Sequence, residues 1–273
     1  MKKVFVTLLF LSAFPFLILI YIWIMLPSEK DIRGCITTTM FQVKLCDKSP
    51  GHTKLKNVSP YLKKTILLTE DSLFYQHKGF DWESIQRNYE ENKKAGRYKR
   101  GGSTITQQLA KNMFLNSDRT LVRKGLEALI TIKIEKTLSK NEIFEKYLNI
   151  VEFGKNIYGV RQASQHYFQK SPGQLNVVES AFLAMLLPNP KKYSVSFYRK
   201  ELTPFASQRI KQIINNMYQY KKISEVEYGQ ALVDLETFFP SSVEEQLSSE
   251  IDEDLNRLTL EKLEQESESE DRF

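Results

Sequence analysis

Val4–Leu26 is a run of twenty-three residues without a charged side chain. As an α-helix it would rise about 35 Å, enough to cross the hydrocarbon core of a bilayer. A run so uniformly apolar has no face fit for water, so a buried core helix fits it poorly. A membrane anchor and a cleaved signal peptide remain. The length of the run, and the absence of a small-x-small site before Pro27-Ser28-Glu29-Lys30, favour the uncleaved anchor. Tyr21 and Trp23 stand where an interfacial aromatic belt would be. Lys2 and Lys3 favour an internal N-terminus, a bias weakened by Lys30 and Arg33 just beyond the run. Residues 1–26 are thus expected to form the cytoplasmic end and anchor, and residues 27–58 a juxtamembrane linker.

With that orientation the rest of the chain lies outside the cytoplasm. Cys35 and Cys46 are the only two cysteines. A disulfide between them is permitted there, and two free thiols are the alternative. Ile32-Arg33-Gly34-Cys35 only faintly suggests a lipoprotein cleavage box, and its Arg and its distance from the apolar run argue against one. The net charge of +6 is unevenly spread. Residues 241–273 hold twelve Asp and Glu against Arg257, Lys262 and Arg272, a balance of −9, so the remainder carries +6 + 9 = +15. A basic body on an anchor suits an anionic bilayer or a phosphate-bearing substrate, whereas nucleic acid is a poor partner for a domain outside the cell. The acidic tail reads as a solvated end.

From Ser59 onward the pattern is mainly helical. Ser59-Pro60 is an N-cap followed by proline, opening an apolar helix expected to end near Phe74. Further helices are expected over Ser103–Leu115 and Leu121–Leu138, the second with Val122, Leu126, Leu129, Ile130, Lys133 and Ile134 spaced at three and four. Ser139 with Glu142, Asn176 with Glu179, and Ser224 with Glu227 are capping boxes that open Asn141–Ile150, Ala181–Leu187 and a helix reaching about Leu235. Pro188 stops the second of these. No alternating run of strand length stands out. Residues 59–240 form the expected main domain.

Gly101-Gly102-Ser103-Thr104-Ile105-Thr106-Gln107-Gln108-Leu109-Ala110-Lys111-Asn112 carries polar side chains too dense for a core helix. Burying them unpaired would cost roughly 1–3 kcal/mol each, so they face water, a partner or a ligand. Ser103 is placed to cap the helix that follows. The preceding Lys93, Lys94, Arg97, Lys99 and Arg100 form either a solvated connector or a cationic rim over a phosphate site.

Several chemistries drop out. His52, His77 and His166 have no zinc spacing, and there is no Gly-x-Ser-x-Gly, Walker loop or Ser-x-x-Lys. Carboxylates beside cations remain. Glu70, hemmed by Leu68, Leu73 and Phe74, is a candidate general base or a helix-end carboxylate paired with His77 or Lys78. Arg123 and Glu127, four apart, form an ordinary intrahelical pair or part of an anion site with Lys111, Asp118, Arg119 and Lys124.

EDSLFYQHKGFDW, GGSTITQQLAKN, RKGLE, KNEIFEKYLN and AFLAMLLPNPKKY, in that order, resemble the five motifs of the peptidoglycan glycosyltransferases, glycosyltransferase family 51. The resemblance covers about Ser59 to Tyr193. It implies a lysozyme-like helical fold with a small membrane-proximal lobe, and polymerisation of lipid II into glycan strands with inversion at the donor anomeric carbon. By position, Glu70 is then the general base for the acceptor 4-hydroxyl, and Glu127 the second glutamate, near the donor pyrophosphate. Lys111, Arg119, Arg123 and Lys124 become diphosphate contacts. Asp71, His77, Ser103, Thr104, Gln107, Gln108 and Asn112 become further substrate contacts. No tightly bound cofactor is implied, though Mg2+ or Mn2+ near Glu70 and Glu127 would share the diphosphate charge. Implied partners are lipid II, the growing strand, membrane lipid and other wall-synthesis proteins, at the outer face of the inner membrane. Ser72 stands where many members have Arg, and Ser194-Val195 replaces a frequent proline. A glycan-cleaving hydrolase or lytic transglycosylase is the alternative enzyme, disfavoured by the cations. A non-catalytic scaffold is the alternative outside enzymes, disfavoured because every polar motif residue is present.

Overall fold

The computed structural model describes residues 24, 26–96, 102–118 and 120–239. The expected anchor, the basic connector at 97–101, Arg119 and the acidic tail lie wholly or mostly outside these residues. Among the described residues no helix is long and apolar enough to cross a membrane.

The helices are α1 (Glu29–Arg33), α2 (Pro60–Glu70), α3 (Trp82–Ala95), α4 (Ile105–Phe114), α5 (Leu121–Thr137), α6 (Lys140–Ile150), α7 (Gly159–Phe168), α8 (Val177–Leu186), α9 (Pro190–Tyr193), α10 (Val195–Tyr198), α11 (Pro204–Gln219) and α12 (Glu225–Glu236). Two short antiparallel ladders interrupt them, β1 (Ile36–Thr37) with β2 (Lys44–Leu45), and β3 (Glu152–Gly154) with β4 (Ile157–Tyr158). Strands of two or three residues are too short to leave an alternating pattern, which is why the sequence hides them.

Every residue of α8 is buried. A helix apolar on all sides needs neighbours on all sides. α2, α11 and α12 supply them, while α4 packs on α5 and α6 as a second layer. Four caps read from sequence form: Ser59 accepts from Tyr61 N–H, and Ser139, Asn176 and Ser224 each close a reciprocal box with the residue three later. Each such cap stabilises by about 1 kcal/mol.

Several expectations are corrected, and one open alternative is settled. The segment 27–58, expected as a linker, packs into the body: Ile32, Leu45 and Val58 are buried in the common core, and Thr39 N–H donates to Met113 O at 2.9 Å. Cys35 and Cys46 are joined, resolving the open alternative. This cross-link stabilises by about 2–3 kcal/mol through the unfolded chain it restricts. α2 stops at Glu70 rather than near Phe74, because Asp71 leaves helical geometry (φ −161°, ψ 79°). Thr104, not Ser103, caps α4, and Gln107 completes the box. The inward face of α5 also differs from the apolar spacing. Glu127, Ile130, Thr131 and Ile134 are buried, whereas Val122 is 75% and Leu129 39% exposed.

Candidate functional site

Glu70 closes α2, whose last turn holds no basic residue, so the helix dipole there opposes a carboxylate. The side chain is half-buried, and that burial pushes its pKa up. A hydrogen bond from Gln108 Nε2 to Oε2 (3.0 Å) pulls the other way, as do Arg209 on α11 and Lys111. A carboxylate poised between these influences is suited to accepting a proton.

Asp71 is tied up. Its Oδ2 accepts from Ile105 N–H at 3.0 Å, at the first residue of α4, and its Oδ1 lies 2.8 Å from His77 Nε2. Gly79 N–H donates to His77 Nδ1 at 3.1 Å, which leaves Nε2 as the nitrogen carrying hydrogen toward Asp71. Asp71 therefore clamps the end of α2 to the start of α4, and this clamp sets Glu70 beside Gln108. Both Asp71 and His77 were expected to touch substrate; their polar atoms are instead spent on the scaffold. Thr104 and Gln107 are spent likewise. Thr104 Oγ1 donates to Gly79 O (2.7 Å), and Gln107 Oε1 accepts from Thr104 N–H (3.0 Å). Gly79 itself has φ +93°, and a Cβ there would meet Thr131 Cγ2 at 2.8 Å. Only glycine fits this turn.

Glu127 is 2% exposed and neutralised by two cations, Arg123 at 2.6 Å and Lys124. Arg123 thus makes the intrahelical pair with Glu127 that its spacing allows. Lys124 also donates to the exposed Ser103 Oγ at 3.4 Å. Lys111 is half-buried, and burial lowers its pKa; Glu127 and, more weakly, Glu70 act to raise it. One lysine therefore lies in the field of both glutamates. Asn112 is buried, with its Oδ1 lacking a hydrogen-bond partner. The structure does not bring Asn112 into any contact with the other candidates.

The donor set does not fit a resident divalent ion. Glu127 already holds two cations, and burial disfavours charge on Glu70. No group of three His, Cys, Asp or Glu capable of holding a metal occurs among the described residues.

Two residues escaped the sequence reading. Arg209 sits in α11 with no motif around it. Tyr147 lies inside KNEIFEKYLN but reads there as one more core aromatic. It is fully buried, and its hydroxyl donates to Gln108 Oε1 at 3.2 Å, so the amide must turn Nε2 toward Glu70. Burial, with Glu70 and Asp71 nearby, holds the phenol pKa well above its usual value, so it remains a donor. Tyr147→Phe frees the Gln108 amide at a cost of about 1 kcal/mol. It is expected to lower kcat several-fold, with KM little changed and the ascending pH limb displaced. An unchanged pH profile would show that Tyr147 is merely packing.

Residues 38–218 match the family model described as Transglycosylase. The chain is 50% identical over 136 residues to a biosynthetic peptidoglycan transglycosylase of Janthinobacterium sp. (strain Marseille), covering 50% of this chain and 59% of that protein. It is 48% identical over 138 residues to that of Herminiimonas arsenicoxydans, covering 50% and 60%. To that of Acinetobacter baylyi it is 43% identical over 185 residues, covering 65% and 82%. The chain thus spans roughly three fifths of the first two relatives. With the match reaching from the disulfide loop through α11 and enclosing both glutamates, the chain belongs to the transglycosylase family.

Proposed function

We propose that this protein is a peptidoglycan glycosyltransferase that polymerises lipid II and releases undecaprenyl diphosphate. The observation that carries the reading is the pairing of unlike glutamates: Glu70 half-buried with a raised pKa, Glu127 buried and ion-paired, and Lys111 acted on by both. A half-buried carboxyl group beside an amide and a buried one held by two cations are suited to different roles. Glu70 takes the proton of the acceptor 4-hydroxyl as its oxygen attacks the donor anomeric carbon. The departing diphosphate meets Lys111, Arg123 and Lys124, with Glu127 holding the latter two in place. Ser103, exposed beside Lys124, is free to contact phosphate or sugar.

A hydrolase cutting neutral glycan has no use for these cations, which favours the synthetic reaction. Labelled lipid II incubated with the purified protein tests it. Polymer ladders support the reading; release of short fragments from sacculi without ladders overturns it.

The domain works at a membrane in this reading. Trp82, Tyr89, Leu121 and Val122 expose 71%, 67%, 92% and 75% of their surface. Apolar side chains so exposed suit a lipid interface. Val4–Leu26 supplies the anchor, confining enzyme and lipid substrate to one surface. Deleting residues 1–23 is expected to preserve turnover in detergent and to lower it several-fold on liposomes. Equal liposome rates would reject the tether.

A further inference from the structure

We propose that the cavity between the β1–β2 hairpin and the start of α7 is a second binding site, for a small ligand bearing a phosphate or carboxylate group. The cavity measures about 630 Å³, within the range of small-molecule sites, and shares no residue with the glutamate site. Its walls come from Val43–Cys46, the loop Ser49–His52, Asn149, and the face of α7 from Tyr158 to His166.

Charge points to an anion. Lys44 and Arg161 both line the cavity and both are exposed, whereas no Asp or Glu lines it. α7 begins at this wall without a side-chain cap, and its first turn holds no acidic residue. An uncapped helix start adds partial positive charge to that of the two cations.

His52 supplies an independent sign. Its side chain is 3% exposed, and Nε2 lies 2.9 Å from Glu145 Oε1, yet the buried Nδ1 has no partner. A buried, unmatched ring nitrogen in the wall of a mainly apolar cavity is a group that a ligand hydroxyl or a bound water would satisfy. The wall is held stiffly: Asn149 accepts from Thr53 N–H (2.7 Å) and donates to Thr53 O (2.9 Å), and Glu145 accepts from Leu55 N–H (2.7 Å). Glu145 and Asn149, four apart on α6, face this loop, while Tyr147 between them reaches Gln108. One helix therefore backs both sites. Tyr158, its ring 4.8 Å from that of Phe41 and tilted against it, gives the rim an aromatic surface suited to a sugar ring or an acyl stem.

The test is calorimetric titration of the full chain with two probes, glycerol phosphate and N-acetylmuramic acid, which separate phosphate esters from carboxylate sugars. The wild type is expected to bind one of them with a Kd in the millimolar range or tighter. Lys44→Gln with Arg161→Gln, both on exposed positions, should weaken that binding at least about tenfold while the melting temperature holds. Binding of either probe that is lost in the double variant supports the site and names its chemistry. Failure of both probes to bind at about 10 mM, or binding insensitive to the double variant, overturns it. The readout is binding rather than turnover, so its failure would leave the polymerase reading standing.

Discussion

Glu70→Gln is expected to lose at least about a hundredfold in polymerisation rate while the protein remains folded, a loss typical of removing a general base. The amide keeps the shape and can still meet Gln108, so the geometry survives and only the proton acceptor goes. Stability should move in the opposite direction. Glu70 has a folded-state pKa raised by burial. Its protonated form is therefore the one the fold favours, and that stabilisation is present below the unfolded pKa and lost as pH rises through the folded one. Above its folded-state pKa the wild type carries an ion the fold resists, so Glu70→Gln should melt no lower than wild type and gain on it as pH rises toward that pKa. Activity in the wild type should climb with pH along a limb displaced above the ordinary glutamate range. A Glu70→Gln variant that polymerises at near wild-type rate would remove Glu70 from the chemistry. One that melts much lower would make it structural.

That conflict between stability and function was partly legible from sequence, since Glu70 closes an apolar helix. What surrounds it was not. The caps at Ser59, Ser139, Asn176 and Ser224 are local, formed by residues two or three apart, and sequence alone places them. The clamp from Asp71 to Ile105 joins residues 34 apart, and that from Tyr147 to Gln108 joins residues 39 apart. Nothing in the spacing of either partner announces such a bond. Asp71 and Thr104, read from sequence as ligand contacts, also hold the start of α4 against the end of α2 and the Gly79 turn, and nothing in their spacing shows it. α5 shows the same limit in reverse. Periodicity assigned an apolar face to the core, but Glu127 is buried with its two cations while Leu121 and Val122 face outward. A rule that apolar residues go inside presumes water outside, and the lipid-facing role proposed for Leu121 and Val122 would break it. The segment 27–58 was misread for a related reason: its hold on the body is scattered contacts such as Ile32 and Leu45, which carry no helical period, while its disulfide closes a loop within the segment itself.

Lys111→Ala carries the other large effect. Arg123 and Lys124 are bound to Glu127, so their charge is already partly cancelled. Lys111 makes no such close pair, and its pKa is lowered first by burial and then by those two cations, against the pull of Glu127 and Glu70. A half-buried cation held near others of the same sign is strained until an anion arrives. A departing diphosphate is such an anion, and the interaction grows as its charge develops, which is the condition for lowering the barrier rather than merely tightening substrate binding. Loss of Lys111 should therefore cut kcat at least about a hundredfold, as when one group stabilising a developing anion is deleted. Folding should scarcely suffer. A lysine whose folded pKa is depressed opposes the fold in its charged form, an opposition that fades as pH rises through the folded pKa, so its removal at neutral pH costs no ion-pair energy. Wild-type activity should accordingly fall at alkaline pH along a limb below the ordinary lysine range, completing a bell with the Glu70 limb. Lys111→Arg keeps a charge that does not titrate there, so it should retain part of the rate and lose the alkaline limb. If Lys111→Ala instead unfolds the protein, or leaves kcat intact while only KM rises, the developing diphosphate charge is met elsewhere.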